Sequence, residues 1–496
     1  MGKPITGSML YDLVACPHRV WMDLYGDPAK RDPIDPFVQL LWERGAWHER
    51  DTIASLRRPF LDLSLYVGDE KQRRTREAMK AEEPLIYGAR VSADDLLGEP
   101  DLLRCEGKGY APIDIKCGAG EEGPNDDRKP KLHYAVQLAL YVDVLERLGL
   151  SSGRHGFIWD INGEEVAYDL TAPQGVRNPT TLWDEYTSCL TQSRNIVQSQ
   201  LRTLPSYSPG VCGLCHWYSA CLAEMRKDRD LTLIPELGRS KRDAMEARIP
   251  SIDALAKADL GNLITGKKTL FPGIGIETLN KFQKRAKMLS DPASRPCRNE
   301  EIILPSSALE IFFDIEVDPF SKHCYLHGFL ERRGGDNLTE RYVAFFTNRV
   351  TAENEEEAFA AAWRYLQESR PYSIYFYSKY ERTWWRVLQS KYPSVCSEIE
   401  LANLFDPPLA VDLYTDIVRS KTDWPTNDYS LKTLAKYLGF QWRDPHPSGA
   451  ASIEWFVRWL ENGDPTIKQR ILEYNEDDCR ATRVLLDAVR ALKPAV

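Results

Sequence analysis

The chain has 496 residues, a net charge of −9 and 43% hydrophobic residues, with a mean hydropathy of −0.43, which allows two to four domains with ample core. No apolar run approaches the length of a bilayer span, which excludes a membrane-spanning protein, and the acidic balance excludes a uniformly basic nucleic-acid coat. The opening MGKPITGSML lacks the basic region and apolar core of a secretory signal, so the cytoplasm is the expected compartment, and the 11 unevenly spaced cysteines read as reduced thiols or metal ligands rather than a disulfide framework.

In chain order, Ser8 is the expected N-cap of a first helix, and CPHRVWMDLYGDP follows from Cys16. A second helix is expected over 37–56, carrying His48 and Glu49 within ERGAWHER. The stretch 98–117, GEPDLLRCEGKGYAPIDIKC, then reads as a β-hairpin with Gly107 and Gly109 at its turn. Asp101 precedes its first strand, and Asp114, Ile115 and Lys116 close its second. Two carboxylates and a lysine at the ends of paired strands can hold a divalent cation and orient a water beside it. A D-x-K alone is common at solvated strand ends, so the neighbours decide. After a polar loop over 118–131, a helix over 132–148 places Gln137 and Tyr141 on one face, four residues apart. Ala135, Leu138, Val142 and Leu145 supply its packing stripe.

The ordered set G-x-x-H-E (45–49), G-x-P-D (98–101), D-x-K (114–116) and Q-x-x-x-Y (137–141) resembles the RecB-like nucleases of the PD-(D/E)xK superfamily. It is most similar to their iron–sulfur exonucleases, which include the CRISPR-adaptation and AddB-type enzymes. In VCGLCHWYSAC, Cys212, Cys215 and Cys221 form C-x-x-C-x5-C, and Cys16 lies upstream. The resemblance implies that these four thiolates ligate a [4Fe–4S] cluster. Such a clasp would remove on the order of 5 kcal/mol of unfolded-state freedom, by the chain-entropy model for cross-links. Zinc held by four thiolates, or by three and an imidazole from His18 or His216, is chemically sound as well; the resemblance favours iron–sulfur. It also implies that His48, Asp101, Asp114 and the Ile115 carbonyl bind Mg²⁺ or Mn²⁺. Lys116 would orient and help deprotonate water, and Gln137 and Tyr141 would steady the lysine or the scissile strand.

Residues 226–287 carry 14 Lys and Arg against 8 Asp and Glu, a local net of +6 that leaves −15 elsewhere. Two helical pairs are expected here. Pro272–Gly273–Ile274–Gly275–Ile276 before the second resembles a helix-hairpin-helix element, whose glycine turn aims backbone N–H groups at a phosphate. Lys281, Lys284, Arg285 and Lys287 would extend that grip. An ordinary helical spacer with a solvated basic face is the alternative, and 291–299 is the expected exposed boundary.

ALEIFFDIEVDP opens a further domain, with Asp314 and Glu316 on one face of a strand. Strands over 325–332 and 340–346 continue it. Near the far end, Tyr474 and Asp478 lie one turn apart on a helix. D-x-E followed by Y-x-x-x-D resembles the DnaQ-like, RNase H-like exonucleases with a tyrosine in the last motif. That likeness implies two divalent ions on the carboxylates, with Tyr474 beside the attacking water. The family's middle motif supplies an aspartate, whereas SIYFYSKYERTWW (373–385) offers Glu381. Asp412 is the substitute candidate, with a strand-end or helix-cap role as its alternative.

The expected architecture is therefore multidomain α/β. It comprises a PD-(D/E)xK restriction-endonuclease-like domain with an iron–sulfur clasp (1–225), a helical helix-hairpin-helix-like module (226–298) and an RNase H-like domain of the four-carboxylate type (299–496). This arrangement resembles a bacterial family of RecB-like nucleases with a C-terminal RNase H-like domain. The likeness implies a metal-dependent exonuclease acting on nucleic acid, with single-stranded DNA favoured over RNA, a second 3′–5′ site, and a helicase or other repair or defence proteins as partners. The competing reading is a nucleic-acid-binding adaptor with one or both sites degenerate and a structural cluster. A redox-sensing regulator is the third.

Overall fold

The computed structural model describes residues 3–123, 128–175 and 179–495, so part of the polar loop at 118–131 lies outside the described residues. The chain forms two compact units, Met1–Glu224 and Met225–Val496. No helix among the described residues is long and apolar enough to cross a membrane.

In the first unit, Thr6 rather than Ser8 caps the opening helix. The Thr6 hydroxyl accepts from the Met9 N–H, and α1 runs Gly7–Ala15. Ser8 instead shares a hydroxyl contact with Thr6 at 2.9 Å, because the extended backbone that a cap requires falls at Thr6. Pro17 opens α2 (Pro17–Tyr25), and Asp35 caps α3 (Pro36–Ala54).

A six-stranded sheet then follows, of β1 (Leu61–Asp62), β2 (Leu85–Tyr87), β3 (Leu102–Glu106), β4 (Gly109–Ile115), β5 (His155–Trp159) and β6 (Glu165–Asp169). They lie side by side in that order. β3 and β4 are the expected hairpin, with Leu102 opposite Ile113 and Glu106 opposite Gly109. Gly107 takes the positive φ, 64°, that the tight turn requires. Every residue of β4 is buried, with β3 antiparallel on one side and β5 parallel on the other.

α4 (Leu132–Arg147) packs over β4 and β5. Its Ala135, Leu138, Val142 and Leu145 are fully buried; burying each of the larger three contributes about 1.5–3 kcal/mol. α5 (Leu182–Ser199), opened by a Thr181–Asp184 capping box, packs on α4. α6 is the helix Tyr218–Asp228.

The second unit begins with the middle segment. The first expected helical pair is present as α7 (Gly238–Met245) and α8 (Ile252–Lys257). The second is one helix, α9 (Ile276–Ser290). Before it, Gly266 at φ 60° folds the chain into a short hairpin pairing Ile264–Thr265 with Lys268–Thr269.

The basic residues of α9 are largely engaged inside the unit. Lys281 meets Glu236 at 2.7 Å and Lys284 meets Asp423 at 3.2 Å. Arg285, fully buried, meets both Asp423 and Glu236 at 2.9 Å. Burial alone would raise the Glu236 carboxyl, but Lys281, Arg419 and Arg285 hold it down at about 2. Asp291–Ala293 are exposed as expected, yet Cys297–Arg298 pair with Thr422–Asp423 as strands. The middle segment is thus stitched to the fold that follows it.

That fold is a five-stranded sheet of β7 (Leu309–Asp318), β8 (His323–Arg333), β9 (Asp336–Phe346), β10 (Ser373–Phe376) and β11 (Ala410–Asp412), in the spatial order β9-β8-β7-β10-β11. The first three strands are antiparallel; β10 and β11 run parallel to β7. Ile311, Phe313, Ile315 and Val317 pack with Phe359, Trp363 and Trp385 from α10 (Ala352–Glu368) and α11 (Tyr380–Lys391). The opposite face of β7 packs Phe312 with Leu485 and Leu486. That side is built by α12 (Leu431–Tyr437), α13 (Gly449–Asn462) and α14 (Pro465–Arg490). Asp314 is the one residue of β7 that is not fully buried.

Candidate active sites

At the first site, the hairpin brings Asp101 and Asp114 together. The Asp101 N–H donates to Asp114 Oδ1 at 3.4 Å, and the Ile115 N–H donates to Asp101 Oδ2 at 2.7 Å. Lys116, just past β4, places its ammonium 2.9 Å from Asp114 Oδ2. Burial, and then the neighbouring Asp114 charge, push Asp101 well above the usual carboxylate range despite Lys116. Burial works against the Lys116 charge, but Asp114 and Asp101 outweigh it and hold the ammonium above its ordinary pKa. Lys116 is thus held as a cation paired to Asp114.

α3 supplies His48 and Glu49. His48 Nε2 is buried without a hydrogen-bond partner. Glu49 adds its charge to the field at Asp101 and accepts from the Tyr87 hydroxyl at 2.9 Å. From α4, Gln137 Nε2 donates to the Tyr141 oxygen at 2.9 Å. Burial and then the charges of Asp114 and Asp101 raise Tyr141, which stays a phenol.

Sequence reasoning left Glu49 without a role and missed an aromatic surround. The Tyr134 ring lies 5.7 Å from the Lys116 ammonium, and Tyr11 and His133 lie 4.7 Å apart, edge to face. Burial, Lys131 and Lys116 push His133 down to about 4. The rings are scattered over α1 and α4, so only the tertiary fold gathers them.

Cys212 ends a short helical turn (Pro209–Cys212), Cys215 lies in the loop before α6, Cys221 lies on α6, and Cys16 lies between α1 and α2. Burial and then the field of Cys215, Cys16 and Cys212 push Cys221 up to about 12, so the four thiols are neighbours. Each histidine considered for zinc is anchored through one ring nitrogen. His216 Nε2 meets Asp23 Oδ1 at 2.8 Å, and His18 Nδ1 meets the Thr203 carbonyl at 2.9 Å.

Among the described residues, one group of three His, Cys, Asp or Glu side chains brings its ligand atoms within 4.8 Å of one another: Asp314, Glu316 and Asp478. The first site and the four cysteines do not close to that spacing. A tetrahedral four-thiolate zinc site needs sulfurs about 3.8 Å apart, from bonds of about 2.3 Å.

The second site is that group. Asp314 and Glu316 come from β7 and Asp478 from α14. Burial and then Glu316, Asp478 and Glu381 push Asp314 well above the usual range, and burial with Asp478 raises Glu316 to about 8. Each carboxylate is held. Asn475 Nδ2 donates to Asp314 Oδ2 at 2.6 Å, Trp442 Nε1 donates to Asp478 Oδ1 at 2.7 Å, and the Tyr325 hydroxyl donates to Glu316 Oε2 at 3.4 Å. Tyr474 on α14 is buried, and it is raised by burial and by Asp478.

Glu381, in the first turn of α11, is 3% exposed, and its Oε2 lacks a hydrogen-bond partner. It acts electrostatically on Asp314. Asp412 behaves as the cap its alternative described: its Oδ1 accepts the N–H groups of Ser378, Tyr414 and Thr415. Its Oδ2 is buried without a hydrogen-bond partner, and its charge acts on Glu381. The converging carboxylates Asp314, Glu316 and Asp478, with the unpartnered Glu381 Oε2 beside them, are suited to hard divalent cations. Asn475, Trp442, Tyr325 and Lys432 were not legible as parts of this site.

Residues 18–222 match the PD-(D/E)XK nuclease superfamily, and residues 311–490 match the RNase H superfamily. The chain therefore carries one nuclease-type domain of each superfamily, with nucleic acid as the class of substrate. A comparison with curated proteins gives no match.

Proposed function

We propose that the chain is a metal-dependent exonuclease that hydrolyses phosphodiester bonds of single-stranded DNA at two sites, the second trimming from 3′ ends. The observation that carries this reading is the convergence of Asp314, Glu316 and Asp478 within 4.8 Å in a domain of the RNase H superfamily. In the second site Asp314, Glu316, Glu381 and Asp478 would hold Mg²⁺ or Mn²⁺; in the first, His48, Asp101, Asp114 and the Ile115 carbonyl would do so. Bound there, the ions supply Lewis-acid activation of water and of the phosphodiester oxygens.

The chain's own groups do the rest. Lys116 presents a fixed positive charge beside Asp114 and orients a water or the phosphate. The Gln137–Tyr141 pair braces that side of the pocket. Tyr474 stays protonated and donates a hydrogen bond in the second site. A single-stranded substrate is supported by Trp42 and Trp47, 58% and 55% exposed on α3, the helix that bears His48. Exposed indoles stack unpaired bases at about 1–3 kcal/mol each.

Cys16, Cys212, Cys215 and Cys221 would carry a [4Fe–4S] cluster that clasps the two ends of the first domain. Their mutual field supports a shared metal centre, and the C-x-x-C-x5-C spacing with Cys16 upstream resembles that of the iron–sulfur nucleases. A helicase or another repair or defence protein would deliver the strand.

The second reading, an adaptor whose first site is inactive, draws on the failure of that site to close to 4.8 Å. Cleavage of end-labelled DNA and RNA oligonucleotides with Mg²⁺ or Mn²⁺ separates the two. Loss on Asp314→Ala alone favours the adaptor form for the first domain, and no cleavage by any form removes the nuclease reading.

A further inference from the structure

Lys432 stands outside every carboxylate motif, yet it reaches the second site. Ser430 caps α12 by accepting from the Thr433 N–H, and Leu434 and Ala435 are buried in the surrounding cores. Lys432 lies on the part of that helix that meets α14. Its ammonium donates to the Tyr474 oxygen at 2.8 Å and lies 3.5 Å from Asp478 Oδ2. The Tyr474 ring centre is 5.0 Å away and the Trp442 ring 5.8 Å. The side chain is 31% exposed while that of Asp478 is 9% exposed, so the ammonium sits on the solvent side of the carboxylates.

A phenol has one proton to give and lone pairs to receive. When an ammonium donates to the Tyr474 oxygen, the O–H is left for the Asp478 carboxylate, with which Tyr474 shares a hydrogen bond. The same ammonium lies close enough to act on the charges of Asp314 and Glu316. It is a cation placed where a polyanion must enter an acidic pocket.

We propose that Lys432 is a positioning residue of the second site, fixing the Tyr474 hydroxyl beside Asp478, where it orients the attacking water. This rests on the reading of Asp314, Glu316 and Asp478 as a hydrolytic site. A lysine serving only to stabilise the fold would act independently of the tyrosine, whereas a positioning lysine acts through it.

The test uses the full chain carrying Lys116→Ala, which silences the first site, with a 5′-labelled single-stranded DNA oligonucleotide and Mn²⁺. Lys432→Met is expected to lower kcat about 30-fold or more with KM within about threefold, and Lys432→Arg to recover most of the loss. The decisive comparison is Lys432→Met in a Tyr474→Phe background, where it is expected to cost less than about twofold. A full additional loss in that background, or an unchanged kcat with only a lower Tm, overturns the proposal while leaving the site reading intact. If the Lys116→Ala chain shows no cleavage that Asp314→Ala removes, the site reading fails and takes this proposal with it.

Discussion

The Lys116 ammonium stands 2.9 Å from Asp114 Oδ2 at the exit of a fully buried strand. The pair leaves a positive charge fixed beside two carboxylates, and no water is needed to hold it there. Lys116→Met in an Asp314→Ala background is therefore expected to lower metal-dependent cleavage by about 100-fold or more. Divalent-ion affinity should be unchanged or tighter, because a competing cation has gone. Single-turnover cleavage and calorimetric titration of Mn²⁺ check the two halves separately.

Metal-free stability should depend on pH through Glu316, whose carboxyl rises from its usual 4.5 to about 8. A raised carboxyl means that the folded state holds a proton the unfolded chain has lost. Its contribution is fully present below 4.5 and is lost as pH climbs through about 8. Tm without metal should fall across that interval, and the gain in Tm on adding Mg²⁺ should grow. Glu316→Gln is expected to flatten both trends in thermal scans taken from pH 5 to 8.5.

Gly328 on β8 faces the Asn475 that holds Asp314. A Cβ there would collide with Asn475 Oδ1 and lie 2.8 Å from the Tyr342 hydroxyl. Gly328→Ala should cost about 1–3 kcal/mol, as overpacked cores do, and should displace the donor to Asp314. Denaturant titration and a loss of second-site cleavage larger than the unfolded fraction would bear this out.

Arg285 binds the middle segment to the sheet fold. Removing its buried guanidinium leaves Asp423 and Glu236 short of a partner, and Arg285→Met is expected to cost about 3 kcal/mol or more in equilibrium unfolding. A change under 1 kcal/mol would show that Lys284 and Arg419 suffice.

The proposed cysteine clasp makes a compositional prediction. Anaerobically purified protein should carry roughly four irons per chain and be brown, and Cys16→Ala should lose both together with a large part of its Tm. A colourless protein with one zinc would contradict the cluster.

Much of this was legible in sequence because it is local. The hairpin at 98–117 announced itself by a glycine turn between short apolar runs, and Asp314 and Glu316 share a face by the period of two. What was not legible arrives from elsewhere in the chain. Lys432, Trp442 and Asn475 meet Asp314 and Glu316 only once α12 and α14 dock on β7. The basic run of α9 looked like a phosphate grip because its partners lie far away in sequence: Glu236 is 45 residues from Lys281 and Asp423 is 138 from Arg285. The first cap was misplaced by two residues because Thr6 and Ser8 are both competent caps and only backbone geometry chooses between them.

The most direct measurement is cleavage of 5′- and 3′-labelled single-stranded DNA with Mn²⁺ by the wild type, Lys116→Ala, Asp314→Ala and the double variant. Two metal sites predict residual activity in each single variant and none in the double, with the 3′-trimming pattern lost on Asp314→Ala. Undiminished cleavage by the double variant would contradict the account.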